Sequence, residues 1–338
     1  MTLFFTSPIG LGHATRDIVI AENLQIPKNE LLFVSGESAP RLIEKKGYRV
    51  MNVYRPEKFI VANGQLQKSF KWLMDYYSYY KKCKLIAKDI LKQRDGLIIS
   101  DEDFASIAVG EELGRKRILV TDVTETHFTS GAASIIERKM NNSMHKMMDA
   151  CDCVIIPDNG EDHDNTVYVG PIVRNLTADR QTLRQRLNFT RNIILVSVGG
   201  TDAGQYLIEK AIKSFQKLKP DAELVIVSGP SLKLPDSPDY RNLGFVDNLH
   251  ELVYAADLVI SLAGRSTMDE SIVYGTPGIF IPLKGHFEQE QGAARLGYKY
   301  DDIFRLDSLI EEKLGQRNNP SDANGAAKAA EIISKFLH

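Results

Sequence analysis

Two successive strand ends in the second half of this sequence carry side chains that suit a phosphorylated, hydroxyl-rich ligand. At the first, an apolar run over 257–261 leads into Gly264, and a helix is expected to begin near Ser266 or Thr267. A helix start presents free N–H groups and the positive end of its dipole to phosphate. Glu270 follows in the first turns, which we expect to lie near solvent, and its carboxylate can accept two hydrogen bonds from a ribose diol.

The second strand end has a similar character. The apolar run 278–282 leads into a polar loop that carries His286, Glu288 and Gln289. The alternative interpretation is an ordinary βαβ unit whose loop residues are polar only because they are exposed.

A glycine-rich turn follows the first strand of the same half. Gly199, Gly200 and Thr201 come shortly after the apolar run 192–197. Glycines let backbone N–H groups approach an anion closely, and Thr201 adds a hydroxyl donor or caps the next helix. Because tight turns use glycine without any ligand, this turn indicates an anion site only in combination with the Gly264 loop.

The first strand of the chain also ends in a glycine loop, which contains Gly10 and Gly12 and is followed by His13. The loop lacks the third glycine of a dinucleotide fingerprint, so the sequence argues against a dehydrogenase. Histidine suits general-base catalysis near neutral pH. Alternatively, His13 is a helix N-terminal residue that hydrogen-bonds its own loop.

Three acids, Asp101, Glu102 and Asp103, follow the apolar run 96–100. Open α/β sheets bind ligands at the carboxyl ends of their strands, so one of these acids could activate a hydroxyl group. The alternative is capping of the next helix, with Ser100 or Asp101 as the cap.

The second-half motifs resemble the donor-site signature of glycosyltransferase family 28. The residues that carry the resemblance are Ala263-Gly264, Thr267, Glu270, Gly275, Pro277, Pro282 and Gln289. The family has the two-domain GT-B fold and uses UDP-sugars as donors. The resemblance implies that Glu270 binds the ribose hydroxyls and Gln289 the donor sugar. The family's usual Asn-Ala is Gly292-Ala293 here.

The resemblance also implies roles elsewhere in the chain. Residues 199–204 would hold the diphosphate, the backbone of Val246 would bind the uracil edge beside Phe245, and His13 would lie at the mouth of an interdomain cleft. The full donor-site set is then Gly12, Gly199, Gly200, Thr201, Phe245, Val246, Gly264, Arg265, Ser266, Thr267, Glu270, His286, Glu288 and Gln289. His13 and Asp101 are the candidate general bases.

The composition excludes several other classes. Forty-two Lys and Arg balance 44 acids, so no overall charge attracts nucleic acid. Three cysteines without metal-ligand spacing indicate a reducing, cytoplasmic setting. The chain starts with a strand rather than a signal peptide, and no apolar run is long enough to span a bilayer.

The alternation of strands and helices predicts an α/β protein with two Rossmann-like parallel-sheet domains. We expect an acceptor-binding domain over 1–170, a nucleotide-sugar domain over 171–318, and a C-terminal helix over 319–338 that packs back on the first domain. The predicted strands are 2–7, 30–35, 96–100, 117–121, 153–156, 166–169, 192–197, 222–228, 242–245, 257–261 and 278–282.

One segment, 65–94, combines aromatic and basic residues. Phe70, Leu73, Tyr77, Tyr80, Cys83, Ala87 and Ile90 share one face of a predicted helix. Trp72, Tyr76 and several lysines lie off that face and suit an anionic membrane surface. The alternative is a solvated lysine face.

The resemblance, together with these patterns, implies a metal-independent, inverting transferase. It would move a sugar from a nucleotide-sugar, a UDP-hexose or UDP-N-acetylhexosamine, to a glycan or lipid-linked hydroxyl acceptor. No cofactor beyond the UDP-sugar is expected, because no Asp-x-Asp suited to a metal-bound diphosphate occurs in a donor loop. The expected location is cytoplasmic, with possible contact to the inner membrane face. A UDP-sugar epimerase, a hydrolase or a non-catalytic sugar- or lipid-binding protein are the alternatives.

Overall fold

Parallel strands alternate with helices through the chain, which divides into two units. The computed structural model describes residues 1–57, 60–67, 70–127, 134–199 and 202–337, without the side chains of 70–74, 136 and 202. The first unit comprises Met1–Lys58, Lys68–Ile172 and Asn324–His338; the second comprises Phe59–Gln67 and Val173–Ala323. The two parallel-sheet domains that the sequence predicts are confirmed.

The first unit is built on a seven-stranded parallel sheet with the order β3-β2-β1-β6-β7-β8-β9. Its strands are β1 (Thr2–Thr6), β2 (Leu31–Gly36), β3 (Arg49–Tyr54), β6 (Leu97–Asp101), β7 (Arg117–Val120), β8 (Cys153–Ile156) and β9 (Thr166–Tyr168). Strands β1, β2, β6, β7 and β8 are buried along their whole length, because helices cover both faces of the sheet. The sequence analysis missed β3, an edge strand with several half-exposed positions.

Among its described residues, this unit has six α-helices. They are α1 (Gly12–Asn23), α2 (Ala39–Lys45), α3 (Phe70–Gln93), α4 (Phe104–Glu112), α5 (Ser134–Asp149) and α12 (Ala326–Ser334). Helix α12 packs against α1 through small and branched residues, including buried Ala329, Ala330 and Ile333. None of the described helices has the length and apolarity to cross a membrane.

The second unit has a five-stranded parallel sheet with the order β12-β11-β10-β13-β14. Its strands are β10 (Asn192–Ser197), β11 (Ala222–Val227), β12 (Arg241–Asn242), β13 (Leu258–Leu262) and β14 (Gly278–Ile281). Its helices are α6 (Arg180–Arg186), α7 (Gln205–Leu218), α8 (Leu249–Ala255), α9 (Arg265–Val273), α10 (Phe287–Arg295) and α11 (Leu306–Lys313).

A short hairpin, which we call the arm (residues 60–67), belongs to the second unit although its sequence lies within the first half of the chain. Strands β4 (Val61–Ala62) and β5 (Gln65–Leu66) are antiparallel. Asn63 and Gly64 form the two-residue turn with φ of 50° and 71°. Both positive φ values match the turn that Asn-Gly favours in hairpins.

The predicted helix over 65–94 is therefore too long at its start, because residues 65–66 are a strand and α3 begins at Phe70. Cys83, Ala87 and Ile90 are buried as expected. Tyr77, which the helical periodicity assigned to the buried face, is 51% exposed. Phe70 and Leu73 have side chains outside the described part of the chain.

Candidate active site

The first cluster of functional side chains forms where β1 and β6 end. These strands are neighbours, and Thr6 pairs in register with Asp101. Strand order reverses between β1 and β6, which is the point where open α/β sheets bind ligands. Helix α1 begins at Gly12, directly beyond the glycine loop, so the fold brings His13 to Asp101 although 88 residues separate them.

Asp101 is the centre of this cluster. His13 Nδ1 lies 2.8 Å from Asp101 Oδ1, and Arg16 donates from Nε to Oδ2 at 2.7 Å and from Nη2 to Oδ1 at 2.5 Å. Asp101 is fully buried. Burial raises the pKa of this carboxyl, but the charges of Arg16 and His13 outweigh burial and leave the pKa below its usual value.

The charge state of Asp101 determines what His13 can do. An ionised carboxylate only accepts hydrogen bonds, so Nδ1 of His13 carries the proton in this contact. The second ring nitrogen, Nε2, then has a lone pair and lies 3.7 Å from Glu102 Oε2. His13 is 18% exposed, so a ligand can reach it. The geometry is that of a general base held in one tautomer by a buried carboxylate.

The two acids that follow Asp101 have separate surroundings at the start of the next helix. Residue 103, not Ser100 or Asp101, precedes α4, and Asp103 accepts a hydrogen bond from Tyr54 Oη at 2.7 Å. Glu102 has a φ of 55°, an uncommon conformation outside glycine that turns the chain sharply at the strand end. The capping interpretation is therefore wrong for Asp101, whose carboxylate binds His13 and Arg16.

A second buried acid, Asp17, lies behind the cluster. It is fully buried on α1, and Thr6 Oγ1 donates to its Oδ2 at 2.5 Å. Burial and the nearby charge of Asp101 raise the pKa of Asp17 well above its usual value. The sequence analysis did not single out Asp17 or Arg16, because each resembles an ordinary polar residue of an amphipathic helix.

His13, Asp101 and Glu102 offer three ligand atoms within 4.8 Å of one another, a spacing that a metal ion could use. Arg16, however, already binds both oxygens of Asp101. Its guanidinium is permanently charged and would repel a second cation at this point. The residue set therefore fits an arginine-neutralised carboxylate better than a metal site.

The second cluster lies at the carboxyl edge of the other sheet. Leu262 pairs in register with Ile281 and Ser197 with Ser261, so β10, β13 and β14 end side by side. The loops that follow these strands carry the three donor-site motifs of the sequence analysis. Strand order reverses between β10 and β13, again at the expected position for a ligand.

Helix α9 starts at Arg265, with Gly264 as the preceding residue and no side-chain cap from the described residues. Its first-turn N–H groups are thus not taken by a capping side chain and suit an anion. Ser266 and Thr267 are half-buried in this turn, and Arg265 Nε donates to Asp269 at 2.8 Å. Gly199 has a φ of 79°, whereas Gly200 and Thr201 lie outside the described residues.

Glu270 is not near solvent, which corrects the sequence-based expectation. It is 1% exposed, and both of its oxygens bind Arg174, at 2.7 Å from Nε and 3.0 Å from Nη2. A carboxylate this deep requires a charged partner, because an unpaired charge is very costly to bury. Burial lowers the pKa of Arg174, but the charge of Glu270 outweighs it and raises the pKa overall.

Arg174 connects Glu270, the expected ribose ligand, with the 245–247 segment, where the base is expected to bind. Its Nη1 donates to the backbone C=O of Asp247 at 3.3 Å, directly after Phe245 and Val246, which are half-buried. Tyr274 Oη donates to the backbone C=O of Arg174 at 2.6 Å. The sequence analysis did not predict a site role for Arg174; its only signal was an arginine at the end of an apolar Gly-Pro-Ile-Val segment.

The third motif is held mainly by backbone contacts. His286 precedes α10 and is half-buried, as is Gln289, while Glu288 is exposed. Gln289 Oε1 accepts a hydrogen bond from the Leu283 N–H at 3.0 Å. That bond fixes the orientation of the side-chain amide. The NH₂ group of the amide then remains to donate a hydrogen bond to a sugar hydroxyl.

Comparison with known proteins agrees with this geometry. Residues 193–332 match the model of the glycosyltransferase family 28 C-terminal domain. The chain is a glycosyltransferase whose residues 193–332 match the family 28 C-terminal domain. The matched range contains the donor-side strands β10 to β14 with their loops, so the resemblance inferred from residues 263–289 is confirmed.

Relatives with glycosyltransferase names align with most of the chain. An uncharacterized glycosyltransferase of Methanopyrus kandleri is 25% identical over 71% of this chain and 76% of its own length. A Bacillus cereus protein named UDP-N-acetylglucosamine–N-acetylmuramyl-(pentapeptide) pyrophosphoryl-undecaprenol N-acetylglucosamine transferase 3 is 24% identical over 83% of this chain and 78% of its own length.

Solved structures show the same fold. The glycosyltransferase of kitacinnamycin aligns with a TM-score of 0.65 at 15% identity and covers 100% of this chain and 99% of its own. The glycosyltransferase SnogD from Streptomyces nogalater aligns with a TM-score of 0.60 at 18% identity, covering 99% of both chains. The GT-B fold expected from the sequence is thereby confirmed.

Proposed function

We propose that this glycosyltransferase moves a sugar from a UDP-linked donor to a hydroxyl group of a glycan or lipid-linked acceptor. The observation that carries the proposal is the Arg174–Glu270 pair, which joins the 245–247 segment to α9 at the carboxyl edge of the family 28 domain. The name of the Bacillus cereus relative, which contains a UDP-sugar and a lipid-linked acceptor, supports this choice of substrates.

On the donor side, the diphosphate would lie against the N-terminus of α9 and the Gly199 loop, where N–H groups and the helix dipole favour negative charge. Arg174, which is 15% exposed, adds a permanent positive charge beside them. Glu270 is too deeply buried to meet the ribose directly, and its role is to hold Arg174 in place beside the ligand. This arrangement holds the leaving diphosphate without a divalent cation, so we propose a metal-independent reaction with no cofactor.

On the acceptor side, we assign His13 as the general base and Asp101 as the residue that positions it. Asp101 is fully buried and its pKa is lowered, so this carboxylate is a poor proton acceptor that orients and stabilises the imidazole. His13 is partly exposed and keeps Nε2 for the acceptor hydroxyl.

The proposed step is a direct displacement. The acceptor oxygen forms a bond to the anomeric carbon while the bond from that carbon to the phosphate oxygen breaks. The bonding electrons leave with UDP, and the acceptor proton goes to His13 Nε2. One displacement of this kind inverts the anomeric configuration.

Incubation with UDP-N-acetylglucosamine and other UDP-sugars, with and without a lipid-linked or glycan acceptor, tests the proposal by NMR. We expect UDP and a glycosylated acceptor to form only when donor and acceptor are both present. A free sugar or an epimerised UDP-sugar without acceptor would instead identify a hydrolase or an epimerase. Binding of UDP without any turnover would favour a non-catalytic binding protein.

A further inference from the structure

The arm is seated firmly on the second unit. Tyr300 Oη donates to the backbone C=O of Asn63 at 2.7 Å. Gly64 is buried, and a Cβ atom there would lie 3.1 Å from the ring of Tyr206 and 3.2 Å from that of Tyr300. Val61 packs against the apolar core of the same unit. These contacts explain a glycine at the turn, since a larger residue would be both strained and crowded.

The arm holds one residue of the second unit by both of its backbone groups. The Leu66 N–H donates to the C=O of Lys284, and the Lys284 N–H donates to the C=O of Gly64, both at 2.9 Å. Gln65 and Lys284 thereby form an isolated parallel β-bridge just beyond the end of β14. The arm thus fixes the backbone at the first turn of the loop after β14.

That loop carries the third donor-site motif. On one side of Lys284, the Leu283 N–H donates to Gln289; on the other side, the Gly285 N–H donates to Glu290 Oε1 at 2.8 Å. Residues 283–285 are therefore held between the arm and the start of α10. Displacement of Lys284 would move the anchor of Gln289 and the backbone that leads to His286.

We propose that the arm is a positioning element for the sugar-binding loop 283–290 and contributes to the affinity for the sugar part of the donor. The proposal rests on the proposed function for its ligand. It predicts that loss of the arm's hydrogen bonds weakens binding of a UDP-sugar and leaves binding of UDP alone nearly unchanged, because the hydrogen bonds described for Arg174 and Glu270 go to residues outside the arm.

The hydrogen-bond pattern of the hairpin allows one backbone donor to be removed by a single substitution. In a hairpin with a two-residue turn, the pair next to the turn, Ala62 and Gln65, is hydrogen-bonded, so the following pair, Val61 and Leu66, is not. The Leu66 N–H therefore points away from β4 and toward Lys284. Leu66→Pro removes this donor, whereas the matched control Leu66→Ala shortens the side chain and keeps the donor.

Amide hydrogen exchange tests the structural part without any ligand. We expect exchange of the Leu283 and Gly285 amides to rise by about tenfold or more in Leu66→Pro and to stay near the wild-type rate in Leu66→Ala. Circular dichroism and urea unfolding confirm that both variants are folded. Equal exchange in the two variants would show that the arm does not fix the loop and would overturn the proposal.

Calorimetric titration with UDP and with UDP-N-acetylglucosamine tests the functional part. Leu66→Pro should lose about tenfold or more in affinity for the UDP-sugar and less than about twofold for UDP. Equal losses for both ligands, or no loss for either, would contradict the proposal. If the wild-type protein binds neither ligand, the proposed function fails, and hydrogen exchange alone then decides whether the arm positions the loop.

Discussion

At the scale of single residues, we expect the rate of sugar transfer to depend on both His13 and Asp101. His13→Ala should lower kcat by roughly 10²–10⁴ because the acceptor hydroxyl loses its general base, while UDP affinity should stay nearly constant. Asp101→Asn should also lower kcat, since an amide no longer fixes the imidazole tautomer. Steady-state kinetics and calorimetry measure both effects, and His163→Ala, an exposed histidine of the same unit, is the control. If kcat falls by less than about tenfold in both variants, other residues must take the acceptor proton.

Asp17 predicts a specific pH dependence of stability. Its raised pKa means that the folded state keeps a proton that the unfolded state releases near pH 4. Wild-type stability therefore falls as pH rises above the unfolded pKa, by about 1.4 kcal/mol per pH unit up to the folded pKa.

Asp17→Asn has no such proton, so its free energy of unfolding relative to wild type should increase as pH rises above about 5. Urea unfolding at a series of pH values measures the difference. Asp179→Asn is the control: hydrogen bonds from Thr182 lower the pKa of exposed Asp179, so the relative stability of that variant should stay constant above about pH 5 and change only at lower pH. A flat Asp17→Asn difference would show that Asp17 is ionised in the folded protein.

Glu270 matters for stability as well as for binding. Glu270→Ala leaves the buried Arg174 charge unpaired, which costs about 3–5 kcal/mol, in contrast to the negligible change that a solvent-exposed glutamate would give. Glu223→Ala, which breaks the more exposed pair with Arg241, should cost only about 0–1 kcal/mol. Urea unfolding compares the two. Equal small losses would mean that Arg174 finds another partner when Glu270 is absent.

The positions of candidate site residues could be predicted from sequence where a strand end is followed by a helix start. This holds for His13, Asp101 and the stretch around Glu270. Arg16, Asp17 and Arg174 could not be found in the same way, because their roles depend on partners 85 to 96 residues away or on full burial. A single sequence contains no direct signal for such contacts.

At the scale of elements, α3 presents a mixed basic and aromatic face. Tyr77, Lys81 and Leu85 are exposed at successive turns, and the Lys81 Nζ lies 4.4 Å from the centre of the Tyr77 ring. Lys84, which the sequence analysis included in this surface, instead pairs with Glu112 at 2.8 Å. Lys68 and the side chains of Lys71 and Trp72 lie outside the described residues.

If α3 contacts an anionic membrane, each lysine near the surface contributes about 1 kcal/mol, and the effect weakens with salt. Lys81→Glu with Lys82→Glu should then reduce co-sedimentation with anionic liposomes at low salt. Lys213→Glu with Lys219→Glu, the same charge change on exposed positions of the second unit, should leave it unchanged. Equal binding of both double variants would indicate that the basic face of α3 is only solvated and would favour a soluble acceptor.

The arm shows what element prediction can miss. Asn63-Gly64 between short apolar-polar segments is a strong hairpin signal, yet the aromatic helix that follows it dominated the interpretation of 65–94. The hairpin itself was thus predictable. Its position on the second unit was not, because that depends on tertiary contacts with Tyr206, Lys284 and Tyr300.

At the scale of the whole molecule, nearly continuous apolar strands separated by helices were sufficient to predict two parallel sheets. The chain passes between the units after Ile172, close to the Gly-Pro segment expected to end the first domain. The family match is confined to 193–332, so the chemistry proposed for the first unit rests on the geometry around Asp101.

The central claim is that a family 28 donor site, centred on Arg174 and Glu270, binds UDP without a metal ion. Calorimetric titration of UDP into the protein in excess EDTA tests it most directly. The account predicts saturable binding of one UDP per chain, the same affinity after addition of Mg²⁺, and a loss of roughly 1.5–3 kcal/mol in a folded Glu270→Ala or Arg174→Ala variant. No binding, binding that requires Mg²⁺, or unchanged affinity in both variants would contradict it.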